Sequence, residues 1–236
     1  MGVEWIAEIG SNHKGSSSLA FRLVKEAVES GATIVKFQAG RDPADPIRYA
    51  DDFLPDAFKW CESYGVEFLA SCWSWDGLNL MQKLGVKRRK IAHQQANLED
   101  PITALTLAED LPTYVSIDLL TGWGKKAYNT WKDNAKITWL KVNSMYPTYY
   151  SPVDHEYPEG WGYSDHTHGI ASPLAAVAHG ARTVECHFTL DPTEETIKDN
   201  HFACTPDEFS TMVRLGNEIA RLGDMHGDSF RSTNWG

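Results

Sequence analysis

The 236-residue chain has no apolar run approaching the roughly 18 residues that a membrane span requires. Its N-terminus, Met1-Gly2-Val3-Glu4-Trp5-Ile6-Ala7-Glu8, has no basic segment and no long apolar stretch, so no secretory signal and no membrane association are expected, and a cytoplasmic location is. Basic residues are in the minority: 22 Lys+Arg stand against 32 Asp+Glu, a formal net charge of −10. That balance disfavours a non-specific nucleic-acid binder, and any anionic ligand must be held by a local basic pocket. Cysteine is scarce, with Cys61, Cys72, Cys186 and Cys204 far apart and no CxxC among them. Neither a zinc knuckle nor a redox pair is suggested, and four free thiols are expected. No GxGxxG follows the first apolar segment, which disfavours a dinucleotide fold. Internal repeats, linker-like composition and a second domain are likewise absent, so residues 1–236 read as one domain.

What is present is ordinary globular material, 42% hydrophobic and 23% charged, with nine Trp assigned mostly to packing. Strand-like and helix-like segments alternate. Strands are expected at Val3–Ile9, Thr33–Gln38, Val66–Cys72, Arg89–His93, Thr113–Asp118, Ile137–Asn143, Gly162–His166 and Thr183–Leu190. The first helix is expected after Ser16-Ser17-Ser18, with Leu19, Ala20, Leu23, Val24, Ala27 and Val28 at helical spacing and Gly31 as its stop. Further helices are expected over Asp52–Tyr64, Asp76–Leu84, Pro101–Glu109, Pro173–His179 and Pro206–Leu222, with an irregular one over 123–134 and a long loop from Ser144 to Gly160. Eight strands, most followed by a helix, require parallel crossovers, and about 220 residues suit a minimal (β/α)₈ TIM barrel.

In such a barrel the chemistry collects where the strands end. The polar residues there are Glu8, Lys36, Gln38, Ser71, Lys90, His93, Gln95, Ser116, Asp118, Asn143, Ser164, Asp165, His166, Glu185 and His187. A lone lysine in a strand is ordinarily an outward-facing one. Two near strand ends, Lys36 and Lys90, instead read as paired cations facing a phosphate or carboxylate. Lys87, Arg88 and Arg89 read as solvated charges ahead of the fourth strand. His166 and His187 end adjacent strands, so they either share one divalent metal ion or pack as a hydrogen-bonded pair. Asp165-His166-Thr167-His168 also contains an H-x-H, with His168 read as a loop residue past the strand end.

These motifs together resemble the sialic acid synthase family, the phosphoenolpyruvate-condensing synthases that make N-acetylneuraminate, legionaminate and pseudaminate. The residues that carry the resemblance are Ile6-Ala7-Glu8-Ile9-Gly10-Ser11-Asn12-His13-Lys14-Gly15, Val35-Lys36-Phe37-Gln38, Lys90-Ile91, Tyr146-Pro147-Thr148, Tyr163-Ser164-Asp165-His166-Thr167 and Val184-Glu185-Cys186-His187-Phe188-Thr189-Leu190-Asp191. They run in order from about residue 5 to 215. The resemblance implies a metal-dependent condensation in which C3 of phosphoenolpyruvate attacks the open-chain aldehyde of an aldose, an N-acyl amino sugar. Water then adds at C2 and phosphate leaves with C–O cleavage. It implies that His166 and His187 hold a divalent ion, Mn²⁺ first, with Mg²⁺, Co²⁺ or Fe²⁺ as alternatives. It further implies that Lys36 and Lys90 hold the carboxylate and phosphate, that Ser71, Ser116 and Ser164 add hydroxyl contacts, that Glu8 and Gln38 lie near metal and sugar, and that Tyr146 lines the sugar pocket.

The chain departs from the family pattern in four places. Where the pattern reads KIxSxE, a phosphate-contacting serine and a sugar-contacting glutamate, Lys90-Ile91-Ala92-His93-Gln94-Gln95 supplies His93 and Gln95. Gln95 cannot act as a general base, whereas a protonated His93 could bind phosphate. The asparagine expected before Tyr-Pro is Ser144 in register, with Asn143 one position earlier. In Lys198-Asp199-Asn200-His201 the usual aspartate is Asn200. The C-terminal antifreeze-like domain of the family has no counterpart before Gly236, so the expectation is that a separate lid-domain chain or a homo-oligomer closes the site, that the acceptor sugar differs, or that the protein is a reduced form. Two other classes stay open: a non-catalytic sugar- or phosphoenolpyruvate-binding barrel, and a metal-dependent hydrolase or lyase with His168 among its metal ligands.

Overall fold

The computed structural model describes residues 2–40, 52–97, 99–145, 148 and 157–226. Eight parallel strands close into a barrel in sequence order, β1 (Glu4–Gly10), β2 (Ile34–Ala39), β3 (Glu67–Cys72), β4 (Arg89–Ile91), β5 (Thr113–Ile117), β6 (Ile137–Val142), β7 (Gly162–Asp165) and β8 (Thr183–His187), the last pairing with the first. Seven helices are described: α1 (Ser17–Glu29), α2 (Leu54–Tyr64), α3 (Trp75–Leu84), α4 (Pro101–Ala108), α5 (Gly122–Trp131), α6 (Ala171–Ala178) and α7 (Pro206–His226). The expected barrel is borne out. No helix among the described residues is long and apolar enough to cross a membrane. All four cysteines are free and buried.

Local signals explain the boundaries. The Ser16 hydroxyl accepts from the Leu19 amide to open α1, and Ser74 does the same for α3 through Gly77. Gly65 and Gly85 end α2 and α3 at φ of 73° and 69°, the left-handed conformation that spares glycine a Cβ penalty. Segment 123–134, expected to be irregular, begins instead as a regular helix at Gly122, because the Thr121 hydroxyl caps the Gly124 amide. β4 stops at Ile91 rather than His93, and His93–Gln95 form a 3₁₀ turn.

Alternation along the strands sorts side chains to two sides of the barrel wall. Trp5, Val35, Phe37, Phe68, Val115, Trp139 and Val184 face outward into the helix layer. Ile6, Ile34, Leu69, Tyr114 and Leu140 face inward and form an apolar plug. Below the plug, Glu4 accepts from Arg88 (2.9 Å), the Tyr114 hydroxyl (2.6 Å) and the Thr183 hydroxyl (3.0 Å), closing the amino-terminal end. Arg88 also pairs with Glu67 at 3.1 Å, and Arg89 is buried against Glu109. These two arginines are therefore not the solvated charges expected from sequence; each has a carboxylate partner that offsets its loss of water.

Gly162 lies opposite Leu140 in β6. A Cβ there would overlap the Thr183 carbonyl and the Leu140 side chain. Gly162→Ala is expected to cost about 3 kcal/mol by overpacking, read as a shifted midpoint in a denaturant titration. A midpoint equal to that of the parent would show that the wall yields freely.

Candidate active site

Above the plug the inward positions turn polar and enclose a cavity of about 320 Å³. It is lined by Glu8, Lys36, Gln38, Ser71, Lys90, His93, Ser116, Ser164, His166, Glu185 and His187 of the residues expected from sequence, and also by Trp73, Gln94 and Asp199. The strand ends thus bring together eleven side chains from seven of the eight strands, the residue after β7 and the turn after β4.

The centre is a buried charge ladder. Lys36 forms an ion pair with Glu8, donates to the Ser71 hydroxyl (3.3 Å) and lies 3.8 Å from Glu185. Lys90 donates to the Ser116 hydroxyl (2.9 Å) and the Ile91 carbonyl (3.3 Å), and lies 3.7 Å from the other oxygen of Glu185. The Ser164 hydroxyl donates to Glu185 at 2.8 Å, and Gln38 donates to Glu8 at 3.2 Å. Burial works against all these charges, and the partners decide each outcome. For Lys36, burial is outweighed by Glu185 and Glu8, and its pKa is raised. For Lys90, burial prevails over Glu185 and Lys36 adds repulsion, so its pKa falls to about 8. Glu185 is pushed up by burial but pulled further down by Lys36, Lys90 and Ser164, to about 2. Glu185 is a charged hub: sequence reading placed it among the strand-end polar residues without a role, and Thr183, Glu185 and His187 fall on one face of β8 by simple alternation.

The two imidazoles stand at the rim. The His166 and His187 ring centroids are 5.8 Å apart, and both rings meet the edge or face of Phe202, at 5.5 and 5.0 Å. His166 Nδ1 lies 2.9 Å from the Asn143 carbonyl; since a carbonyl only accepts, Nδ1 carries the proton and Nε2 is the basic nitrogen. Burial and the neighbouring His187 hold the His166 pKa at about 3. His187 Nδ1 is buried without a hydrogen-bond partner. A Cβ on Gly10, whose φ is 52°, would crowd the space between Glu8, Gln38 and His187. Among the described residues no cluster of three His, Cys, Asp or Glu side chains is arranged to hold a metal. Two imidazoles, one tautomerically fixed and one whose Nδ1 has no hydrogen-bond partner, nevertheless fit an ion whose remaining positions are filled by water or substrate oxygens.

Asp118 and Asp165 of the strand-end residues do not line the cavity, and neither do four residues expected to contact the substrate. Gln95 donates to the Cys72 carbonyl and accepts from the Ala92 amide, tying the β4 turn to β3. Asn143 donates to the Thr148 hydroxyl and accepts from the Met145 amide, and serves the site through the carbonyl that orients His166. Ser144 donates to Asp118 at 2.7 Å. Asn200 donates to the Asp191 and Glu194 carbonyls at 2.7 and 2.9 Å. In each case a loop backbone or carboxylate satisfies the polar group before the cavity can. Tyr146 lies outside the described residues. His168 is exposed and does not line the cavity, so the arrangement lacks the extra histidine that the hydrolase reading needs.

A closed (β/α)₈ barrel with paired buried lysines and two imidazoles at its carboxyl-end mouth defines a barrel enzyme built for an anionic substrate. The NeuB family model matches residues 45–228, and the chain belongs to this family. It is 27% identical to the pseudaminic acid synthase of Campylobacter jejuni over 93% of this chain and 74% of that one. It is 30% identical to the N,N'-diacetyllegionaminic acid synthase of the same species over 93% of this chain and 77% of that one. The crystal structure of the N-acetylneuraminic acid synthetase of Leptospira borgpetersenii, in complex with citrate, superposes with a TM-score of 0.79 and 25% identity, covering 100% of this chain and 92% of that one. The relatives are named as synthases of sialic-type acids, and the resemblance read from the motifs is borne out.

Proposed function

We propose that the protein condenses phosphoenolpyruvate with an aldose, an N-acyl amino sugar, to give a nonulosonic acid and phosphate, with the help of a divalent ion held by His166 and His187. The observation that carries this reading is the convergence of Lys36 and Lys90, both buried, on one cavity with both imidazoles. Phosphoenolpyruvate presents a carboxylate and a phosphate a few ångströms apart, and two fixed ammonium groups match that spacing better than one. The serines that accept from Lys36 and Lys90 hold the ammonium groups in place, and their own hydroxyl protons remain available to anionic oxygens. When bound, the ion would polarise the aldehyde oxygen as a Lewis acid while C3 attacks. Glu8 and Glu185 serve as counter-ions of the lysines, and Asp199 is the third carboxylate that lines the cavity.

The test is phosphate release from phosphoenolpyruvate with Mn²⁺ and a panel of N-acyl hexosamines and their phosphates. Release with at least one acceptor supports the reading. Tight binding of phosphoenolpyruvate with no release from any acceptor would instead favour a non-catalytic binding barrel. His187→Ala is expected to lower Mn²⁺ affinity more than about 100-fold while the circular dichroism spectrum is unchanged. Unaltered Mn²⁺ affinity would remove His187 from the ion's ligands.

A further inference from the structure

The turn after β4 carries a ring that the mechanism above does not use. His93 is 6% exposed and lines the cavity with Lys36 and Lys90. Its Nδ1 accepts a hydrogen bond from the Asp118 backbone amide at 3.1 Å. An N–H that points at Nδ1 leaves no room for a second proton there, so the ring proton sits on Nε2. His93 Nε2 is buried and has no partner within the protein. The ring plane is set by Trp123, which stacks on it at 4.0 Å between centroids and 27° between planes. Two independent contacts, one in the plane and one on the face, therefore aim a single N–H into the cavity that holds the Lys36 and Lys90 ammonium groups.

We infer that His93 is an uncharged, fixed hydrogen-bond donor to an anionic oxygen of the ligand held by Lys36 and Lys90, with the Asp118 amide and Trp123 as its positioning groups. This deepens the proposed function and rests on its claim that an anionic substrate occupies the cavity. It differs from the sequence expectation that His93 would bind phosphate as a cation. Burial lowers the His93 pKa to about 4; Asp118 pulls it up and Lys90 down. The Asp118 carboxylate is engaged by the Leu120 amide, the Ser144 amide and the Ser144 hydroxyl, and makes no hydrogen bond to the ring. An imidazolium would add charge beside Lys90 and set two protons against each other at Nδ1. A neutral donor supplies a directed bond without either cost.

The experiment measures phosphoenolpyruvate and inorganic phosphate affinity by calorimetry in the Mn²⁺-loaded protein, its His93→Phe variant and its His93→Asn variant. Phenylalanine keeps the stacking on Trp123 and loses the donor; asparagine keeps a donor. His93→Phe is expected to weaken phosphoenolpyruvate binding about 10- to 100-fold, and His93→Asn to recover most of that loss. Weakening of both ligands assigns the bond to the phosphoryl group, and weakening of phosphoenolpyruvate alone assigns it to the carboxylate. The ratio of parent to His93→Phe affinity is expected to be flat from pH 8 to 6; a steep rise below pH 6.5 would mean an imidazolium and overturn the inference. Nitrogen NMR of the parent protein reads the tautomer directly: a proton on Nδ1 at pH 7 overturns it even if His93→Phe does not fold. Equal affinities in parent and His93→Phe, or no binding of either anion by the parent, also overturn it. If the parent binds phosphoenolpyruvate through His93 but releases no phosphate with any acceptor, the condensation reading fails and this one stands.

Discussion

Lys36→Met is expected to abolish phosphate release from phosphoenolpyruvate and to destabilise the protein at the same time. The Lys36 ammonium is buried between Glu8, Ser71 and Glu185. Removing one well-placed charge that meets the transition state typically costs about 10²–10³ in rate. The stability effect has a separate origin. Glu185 retains Lys90 and Ser164, but Glu8 is left with Gln38 alone. A carboxylate buried without its cation costs about 3–5 kcal/mol, and a denaturant titration will show it. The double variant Lys36→Met/Glu8→Gln removes the orphaned charge and is expected to regain most of the stability and none of the activity. If the double variant is as unstable as the single one, Glu8 is not the carboxylate that Lys36 neutralises. If Lys36→Met retains full turnover, the anion does not bind at this ladder.

Acidification is expected to lower the melting temperature by about 10 °C between pH 7.5 and 5.5, before any carboxylate of ordinary pKa is protonated. Three buried histidines drive the change. Burial lowers His13 to about 4 between the rings of Phe37 and Phe53, His93 to about 4, and His166 to about 3, with His187 adding to the effect on His166. Each has a folded pKa below its unfolded value of 6.5, so the unfolded chain binds more protons as pH falls below 6.5. Their contribution is whole above pH 6.5 and shrinks as pH falls toward 4. One pH unit into that window costs about 1.4 kcal/mol per histidine. Asp165 acts in the opposite sense. Burial pushes its pKa up to about 6 against hydrogen bonds from Tyr163 and Thr167, so its ionised form is disfavoured in the fold and acidification relieves that cost. Three groups against one leave a net loss of roughly 3 kcal/mol at pH 5.5, and a domain of this size converts that into about 10 °C. Glu185, held at about 2, adds its own loss only below about pH 4.5. A melting temperature that is flat or rises from pH 7.5 to 5.5 would mean that these imidazoles are protonated in the fold.

The barrel was legible in the chain because its signals are local. Ser16, Ser74 and Thr205 open helices, Gly65 and Gly85 close them, and the runs between them alternate with period two. The same alternation placed Glu8, Lys36, Ser71, Lys90, Ser116, Ser164 and His187 on the inner face of the wall, and it also contained Glu185. The alternation ends where the strands end. Gln95, Asn143, Ser144 and Asn200 lie beyond that limit, and their carboxamides and hydroxyl turn to nearby carbonyls, a hydroxyl or a carboxylate. Residue type gave no warning of this, because a loop side chain takes whichever partner the loop backbone brings nearest.

By itself, then, the order of residues determined the eight-unit parallel barrel and the set of strand-borne groups at its mouth, since both follow from periodicity and short-range capping. Only the closed tertiary structure decided how those groups share charge. Lys36 and Lys90 read in the sequence as paired cations facing a phosphate or carboxylate, and the barrel places Glu8 and Glu185 beside them. It also fixed the tautomers of His93 and His166, through the Asp118 amide and the Asn143 carbonyl, each about two dozen residues distant along the chain. Protonation state and ion pairing depend on distances between strands, and those distances exist only once the sheet has closed.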